Sequence, residues 1–274
     1  MALRFREVDF VIRAKIRGLG GLFALNKILV ALERNHVDGI CCHSGSASLL
    51  SVLLKRSFPR IKLLIFRHNL TPNKKDFYHR LVQKKADFFI CVSKAVYEIQ
   101  IDSCYKEYQN KFQLIYSGVD EEKFFPYDNR VFSDVLKIGY AGRIIENKGV
   151  LVLLEAFKKI TDLGIKAELL LAGPMDKSFK DKFYNELNSF KGNDRVKILG
   201  VFSDMNEFYN SLDIFVLPSI VKESFGLVLC EAMLCEVPVV TTNSGAQEEI
   251  ITNEKEGIIV SPNNVEALFE GMQT

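Results

Sequence analysis

Leu217–Val240, LPSIVKESFGLVLCEAMLCEVPVV, is the stretch whose reading decides the fold. The apolar run Ile214–Leu217 leads into it and reads as a buried strand, ended by Pro218 and Ser219. A polar turn follows, Phe225–Cys235 reads as a buried helix, and Pro238 opens the next strand. Two glutamates bracket the turn and helix: Glu223 just before the helix start and Glu231 about one and a half turns in. Gly226 between them lets a ligand approach the backbone. Amide groups at a helix start favour a phosphate, so carboxylates on either side of that phosphate can accept hydrogen bonds from sugar and ribose hydroxyls. Taken alone, two glutamates at this spacing favour a surface Glu and a helix-face Glu on an ordinary α/β unit.

The same strand–helix alternation runs outward in both directions. Towards the N-terminus, Asp9–Ala14 reads as a strand, Gly18–Gly21 as a breaker and Leu22–Arg34 as a helix. Strands are expected at Val37–Cys42, Lys62–Phe66, Asp87–Val92 and Phe112–Tyr116. Between them come helices at Ala47–Lys55, at Lys75–Lys85 with Phe77, Tyr78, Leu81 and Val82 on its apolar side, and through Tyr105. Glu121–Val135 has Pro and polar residues without a period, and reads as an interdomain linker. A second series follows: strands at Lys137–Ala141, Ala167–Ala172, Val196–Leu199, Ile214–Leu217, Val237–Thr242 and Gly257–Val260. Its helices fall at Val150–Leu163, Lys177–Phe190, Asp204–Ser211 and the stretch quoted above. Such alternation predicts α/β domains with parallel sheets, whose ligands lie at the carboxyl ends of the strands. His43, His68, Ser93 and Ser117–Asp120 fall at such ends.

Composition narrows the function classes. With 48% hydrophobic and 26% charged residues in 274, the chain is globular and long enough for one large or two modest domains. The six cysteines form no C-x-x-C pair and read as buried thiols of a reducing compartment. No apolar run has the length of a transmembrane helix, and MALRFREVDF lacks a signal-peptide core. These features place the protein in the cytoplasm. A net charge of +2 hides an asymmetry: residues 1–86 carry 17 Lys and Arg against 5 Asp and Glu. This basic half suits an anionic partner such as acidic lipid or a phosphate-rich acceptor, or else forms a solvated face. No RRM or KH signature is present, so nucleic acid is not expected as a partner.

A second motif follows the first strand of the second series: Gly139-Tyr-Ala-Gly142-Arg143, then Glu146-Asn-Lys148-Gly149. A glycine at a strand end lets backbone amides reach a phosphate that Arg143 and Lys148 would neutralise. The alternative is an exposed basic loop. No D-x-D occurs, which fits a metal-free site in which cationic side chains and helix amides stabilise a leaving diphosphate.

Glu223-Ser-Phe-Gly-Leu-Val-Leu-Cys-Glu231, with Leu-Pro-Ser before it and Val-Pro-Val-Val after it, resembles the E-x7-E signature of family 4 glycosyltransferases. The G-R-x4-K-G pattern resembles the same family's diphosphate clamp. The resemblance implies the GT-B fold: an acceptor-side Rossmann-like domain at 1–120, the linker 121–135 and a nucleotide-sugar domain at 136–274. It implies a retaining transfer from a nucleotide diphosphate sugar, UDP favoured, to a hydroxyl of a lipid-linked or surface glycan at the inner face of the membrane. No further cofactor and no metal are implied. Glu231 would hold the ribose, and Glu223, Ser224 and Phe225 the sugar. Gly142, Arg143, Lys148, Gly226 and Leu227 would bind the diphosphate, and Gly173, Val201 and Phe202 would border the base. His68, in Ile-Phe-Arg-His-Asn, resembles the family's strand-end histidine, which would contact the donor sugar or shuttle the acceptor proton. It can equally be a strand-end histidine bonded to a neighbouring loop. His43 resembles another family histidine and reads as structural, while Arg67 would bind acceptor phosphate or face solvent. The opening βα unit and the last helices of the family are not evident, so the N-terminal domain is expected to be incomplete and the C-terminal helices missing. Two rival readings follow: a non-catalytic nucleotide-sugar-binding remnant, and a GT-B sugar-nucleotide epimerase.

Overall fold

Short apolar runs separated by amphipathic helices build two parallel sheets. The computed structural model describes residues 20–35, 37–130, 133–252 and 254–274. The strand expected at Asp9–Ala14 lies outside them, as does His36. The chain divides into two units, residues 1–92 with 96–115, and residues 93–95 with 116–274.

The first unit contains α1 (Gly20–Arg34), β1 (Gly39–Cys42), α2 (Gly45–Ser57), β2 (Lys62–Arg67), α3 (Phe77–Lys85), β3 (Phe88–Cys91), most of α4 (Lys94–Ser103) and β4 (Phe112–Leu114). Its described strands run parallel in the order β1-β2-β3-β4. Leu63, Ile65, Phe89 and Cys91 fill its core, and the Phe89 and Phe112 rings stack at 4.4 Å. Four expectations change here. Gly20 and Gly21 open α1 rather than break the chain, because first-turn amides have no intrahelical partner to lose. Asp76 caps α3 by accepting from the His79 amide at 2.8 Å, so the helix starts at Phe77. That start leaves Phe77 84% exposed instead of on the apolar side, which is carried by Val82 with Tyr78 and Leu81 half-buried. Cys41 is exposed, because alternation on β1 turns Cys42 inward in its place.

The second unit contains β5 (Leu136–Ala141), α5 (Val150–Asp162), β6 (Ala167–Ala172), α6 (Lys180–Leu187), β7 (Val196–Gly200), α7 (Met205–Asn210), β8 (Ile214–Leu217), α8 (Leu227–Leu234), β9 (Val239–Thr242), β10 (Ile258–Val260) and α9 (Val265–Gly271). The parallel order is β10-β9-β8-β5-β6-β7. Both sheet faces are covered, so β8 reads as a continuous apolar run, and β5 and β6 are each interrupted by one charged residue, Lys137 and Glu168. Helix α5 places Val150, Leu153, Leu154, Phe157 and Ile160 on one buried stripe. Burying each of its larger side chains contributes roughly 1.5–3 kcal/mol. Its N-cap is Gly149 (φ +72°), where a Cβ would stand 1.8 Å from the Pro218 carbonyl oxygen. Only glycine lets α5 start there. Helix α9 went unread in the sequence.

The segment read as a linker has no strand among its described residues and is tied to the second unit. Phe124 is buried, the Phe125 and Tyr127 amides donate to Asn206 and Asn210 Oδ1 at 3.0 and 2.8 Å, and the Arg130 guanidinium donates to backbone carbonyls at Asn210 and Glu236. No helix among the described residues is long and apolar enough to cross a membrane.

Candidate active site

In the second sheet the strand order reverses between β5 and β8, and a reversal opens a crevice at the carboxyl ends of the strands flanking it. The loops leaving those strands carry most of the expected diphosphate and sugar residues. After β5 come Gly142 (φ +153°) and the exposed Arg143. The buried Tyr140 hydroxyl donates to the Arg143 carbonyl at 2.7 Å and fixes the loop. Burial, then the Glu223 charge, push the Tyr140 phenol well up, so it stays a donor. Glu146–Lys148 forms one 3-10 turn, and its Asn147 carbonyl accepts from the Ile220 and Val221 amides at 3.1 and 3.3 Å. Those bonds stitch the loop after β5 to the loop after β8.

Within that seam Lys148 Nζ pairs with Glu223 Oε1, and the Ser219 hydroxyl donates to the same oxygen. The two charged side chains are 20% and 13% exposed, so the pair is mostly withdrawn from water. The loop after β9 grips the Glu223 backbone: its amide donates to Ser244 O, and its carbonyl accepts from the Ala246 amide, each at 3.1 Å. Gly245 makes this possible, because a Cβ there would lie 2.4 Å from the Glu223 carbonyl oxygen.

The central helix begins later than the sequence suggested, at Leu227, because Gly226 takes φ +108° and stands outside it. No side chain caps α8, which leaves its first amides for a ligand. The Phe225 side chain is buried and faces the Tyr116 ring at 6.0 Å, so Phe225 offers a ligand its backbone, while Ser224 is half-buried. Glu231, also half-buried, accepts a 2.7 Å hydrogen bond from the Tyr209 hydroxyl at Oε2.

The expected base-bordering residues lie at the ends of β6 and β7, beside β5 in the same sheet. The Gly142 amide donates to Ala172 O at 2.9 Å, and the Gly173 amide to Gly200 O at 2.6 Å. A Cβ at Gly173 would fall 1.8 Å from the Gly142 carbonyl oxygen. Val201 is 80% exposed, an apolar platform at the strand end, while Phe202 packs its ring towards Phe208 at 6.0 Å.

In the first unit, β2 delivers His68 to a strand end beside His43, which follows β1. His43 Nδ1 and His68 Nε2 are 2.8 Å apart; the ring centroids are 5.1 Å apart and the planes 19° from parallel. His43 also stacks on Phe66 at 4.4 Å. Burial, then the His43 charge, hold the His68 pKa below the ordinary imidazole value. Arg67 does neither of the things expected of it. Its Nε and Nη2 donate to Gln100 Oε1 and Asn73 Oδ1, each at 2.6 Å, and Gln100 is fully buried. A half-buried guanidinium needs acceptors, and this one finds two of them inside the fold. Among the described residues no group of three or more His, Cys, Asp or Glu converges where a metal could bind.

Sequence reasoning missed Ser219, Tyr209 and Gly245. A glycine in the loop that follows β9 was the available signal for Gly245. Tyr209 carried none, because its partner lies 22 residues away.

The family model for glycosyl transferases group 1 matches residues 121–274, and the model for glycosyltransferase family 4 matches residues 4–123. The capsular polysaccharide biosynthesis glycosyltransferase CapM of Staphylococcus aureus is 34% identical over 165 residues, which are 60% of this chain and 41% of CapM. The N,N'-diacetylbacillosaminyl-diphospho-undecaprenol alpha-1,3-N-acetylgalactosaminyltransferase of Campylobacter jejuni is 29% identical over 273 residues, 92% of this chain and 70% of that protein. Anabaena HepE in complex with UDP-glucose superposes with a TM-score of 0.77 at 20% identity, over 93% of this chain and 72% of HepE. That likeness shows the fold: two Rossmann-like α/β units of the GT-B type.

Proposed function

The chain belongs to the group 1 glycosyl transferases of family 4, and we propose that it moves a sugar from a nucleotide diphosphate sugar to an acceptor hydroxyl, with retention and without a metal. The observation that carries this reading is the seam at the strand-order reversal. There Lys148, Glu223, the uncapped α8 and Glu231 stand on adjoining loops and one helix. Arg143, Lys148, Gly142 and the amides at Gly226 and Leu227 take the diphosphate. Glu223, Ser224 and the Phe225 backbone take the sugar, Glu231 the ribose, and Gly173, Val201 and Phe202 the base.

In the reaction, the bond from the anomeric carbon to the diphosphate oxygen breaks as the acceptor oxygen bonds to that carbon on the same face. The acceptor proton passes to the departing diphosphate, and His68 serves the acceptor step. An oxocarbenium-like centre forms in between, and its leaving group is stabilised by fixed cations and amides. The donor carrier is UDP, a reading supported by the UDP-glucose bound to HepE. The acceptor is a lipid-linked or surface glycan, supported by what the CapM and Campylobacter names say of those proteins. The protein works in the cytoplasm against the anionic inner face of the membrane. Exposed Phe77 with exposed Lys74, Lys75, Lys84 and Lys85 gives the first unit a basic, partly apolar surface for that contact.

The test is nucleotide release from a panel of UDP-, GDP-, ADP- and CDP-sugars, with and without polyprenyl-diphosphate saccharides, in EDTA, with product anomers read by NMR. The expected result is acceptor-dependent UDP release with the donor's anomeric configuration kept. Sugar interconversion without acceptor would establish an epimerase instead. Nucleotide binding with no transfer to any acceptor would leave only a binding protein.

A further inference from the structure

Tyr140 and Tyr209 are both fully buried in the second unit, yet their hydroxyls are used differently. Tyr140 donates to a backbone carbonyl, the ordinary partner of a structural tyrosine. Tyr209 donates to the Glu231 carboxylate, a charged group at the ligand edge of the unit. A backbone acceptor would have satisfied the phenol without drawing a charge towards the interior. From this geometry we infer that Tyr209 is a positioning residue that holds Glu231 Oε2 and so presents Oε1 to the ribose hydroxyls of the donor. The inference rests on the reading of Glu231 as the ribose ligand.

The tyrosine is well placed to hold a direction. Its ring meets Phe208 and Phe215 edge-on, with centroids at 5.5 and 5.4 Å, and Phe124 at 5.9 Å. Phe124 comes from the segment read as a linker, which is hydrogen-bonded to α7 through Asn206 and Asn210. Helix α7 is itself capped by Asp204, whose carboxylate accepts from the Glu207 amide at 3.0 Å. Burial, then the Glu231 charge, push the phenol's pKa far up, so Tyr209 remains the donor and Glu231 the acceptor. A carboxylate locked before the ligand arrives loses less freedom on binding than one that must be ordered by it.

The test is calorimetry with UDP and with 2′,3′-dideoxy-UDP on the wild type, Tyr209→Phe, Glu231→Ala and the double variant. Tyr209→Phe should weaken UDP about tenfold and dideoxy-UDP less than twofold, because a hydrogen bond to a charged group is lost only where ribose hydroxyls use that group. In the Glu231→Ala background the same change should alter UDP affinity less than twofold. Phe124→Leu, which thins the packing behind the ring without touching the hydrogen bond, is the second variant. Its loss should be about threefold and again confined to UDP. Equal weakening of both nucleotides by Tyr209→Phe would make the residue merely structural and overturn the inference. So would unchanged UDP binding in Tyr209→Phe while Glu231→Ala still weakens it, which would leave the donor site standing. Unchanged UDP binding in Glu231→Ala would remove the ribose assignment and the inference with it.

Discussion

The carboxyl edges of the two sheets hold their polar groups in opposite states. In the second unit both key carboxylates are already occupied: Glu223 by Lys148 and Ser219, Glu231 by Tyr209. In the first unit an exposed imidazole pair stands at the strand ends, and the nearby guanidinium is turned inward to Gln100 and Asn73. The topologies match this contrast. The described strands of the first sheet run in simple sequence, while the second sheet reverses between β5 and β8. A reversal makes a crevice in which charges can be fixed before a ligand arrives, and fixed charges suit a diphosphate. A plain strand edge with a pair of titratable rings suits proton handling instead.

Glycine substitutions should break the contrast most severely. Gly173→Ala forces a Cβ onto the Gly142 carbonyl at φ +137°, and should cost about 3 kcal/mol or more of stability. Gly45→Ala, in the first turn of α2 with nothing within 4 Å, should be neutral or stabilising by about 0.5 kcal/mol. Urea unfolding midpoints of the two variants provide the check, and equal effects would contradict the packing argument. Next in size, Glu223→Gln removes the negative charge that Lys148 and Ser219 share, and transfer should fall about 1,000-fold in kcat/KM. His68→Asn should lower kcat about 100-fold while leaving UDP affinity within twofold.

The smallest expected effect sharpens the comparison through pH. The folded His68 pKa lies below its ordinary 6.5, through burial first and the His43 charge second. Above 6.5 the ring is neutral in both folded and unfolded chains and adds no pH dependence. As pH falls below 6.5 the unfolded chain takes up the proton first, so stability declines until the folded ring also protonates. His43→Asn removes one of the two causes, so the His68 resonance should titrate at higher pH by NMR. A resonance that stays put would show burial to be the whole cause.

Much of this architecture was legible in the sequence because parallel strands covered on both faces are short, mostly apolar runs. Ala167–Ala172 and Ile214–Leu217 were read at their observed bounds. Helix starts were less legible, since they depend on single residues. Gly226 delays α8 to Leu227, and the Asp76 cap delays α3 to Phe77. The Lys148–Glu223 pair could be read only as two separate motifs 75 residues apart, and the sheet order joins them. Tyr209 and Ser219 were invisible as site residues because ordinary strand- and helix-end residues look the same in sequence. Arg67 was misread for a related reason: nothing near it in the chain announces Gln100, 33 residues on, as its acceptor.

In the function proposed above, the donor nucleotide is held by the loops at the reversal in the second sheet. Calorimetry of UDP binding to the wild type, Arg143→Ala and His68→Asn tests it most directly. The account predicts measurable binding by the wild type, at least tenfold weaker binding by Arg143→Ala from loss of a charge-assisted phosphate contact, and wild-type affinity in His68→Asn. Loss of UDP binding in His68→Asn with full binding by Arg143→Ala would contradict it.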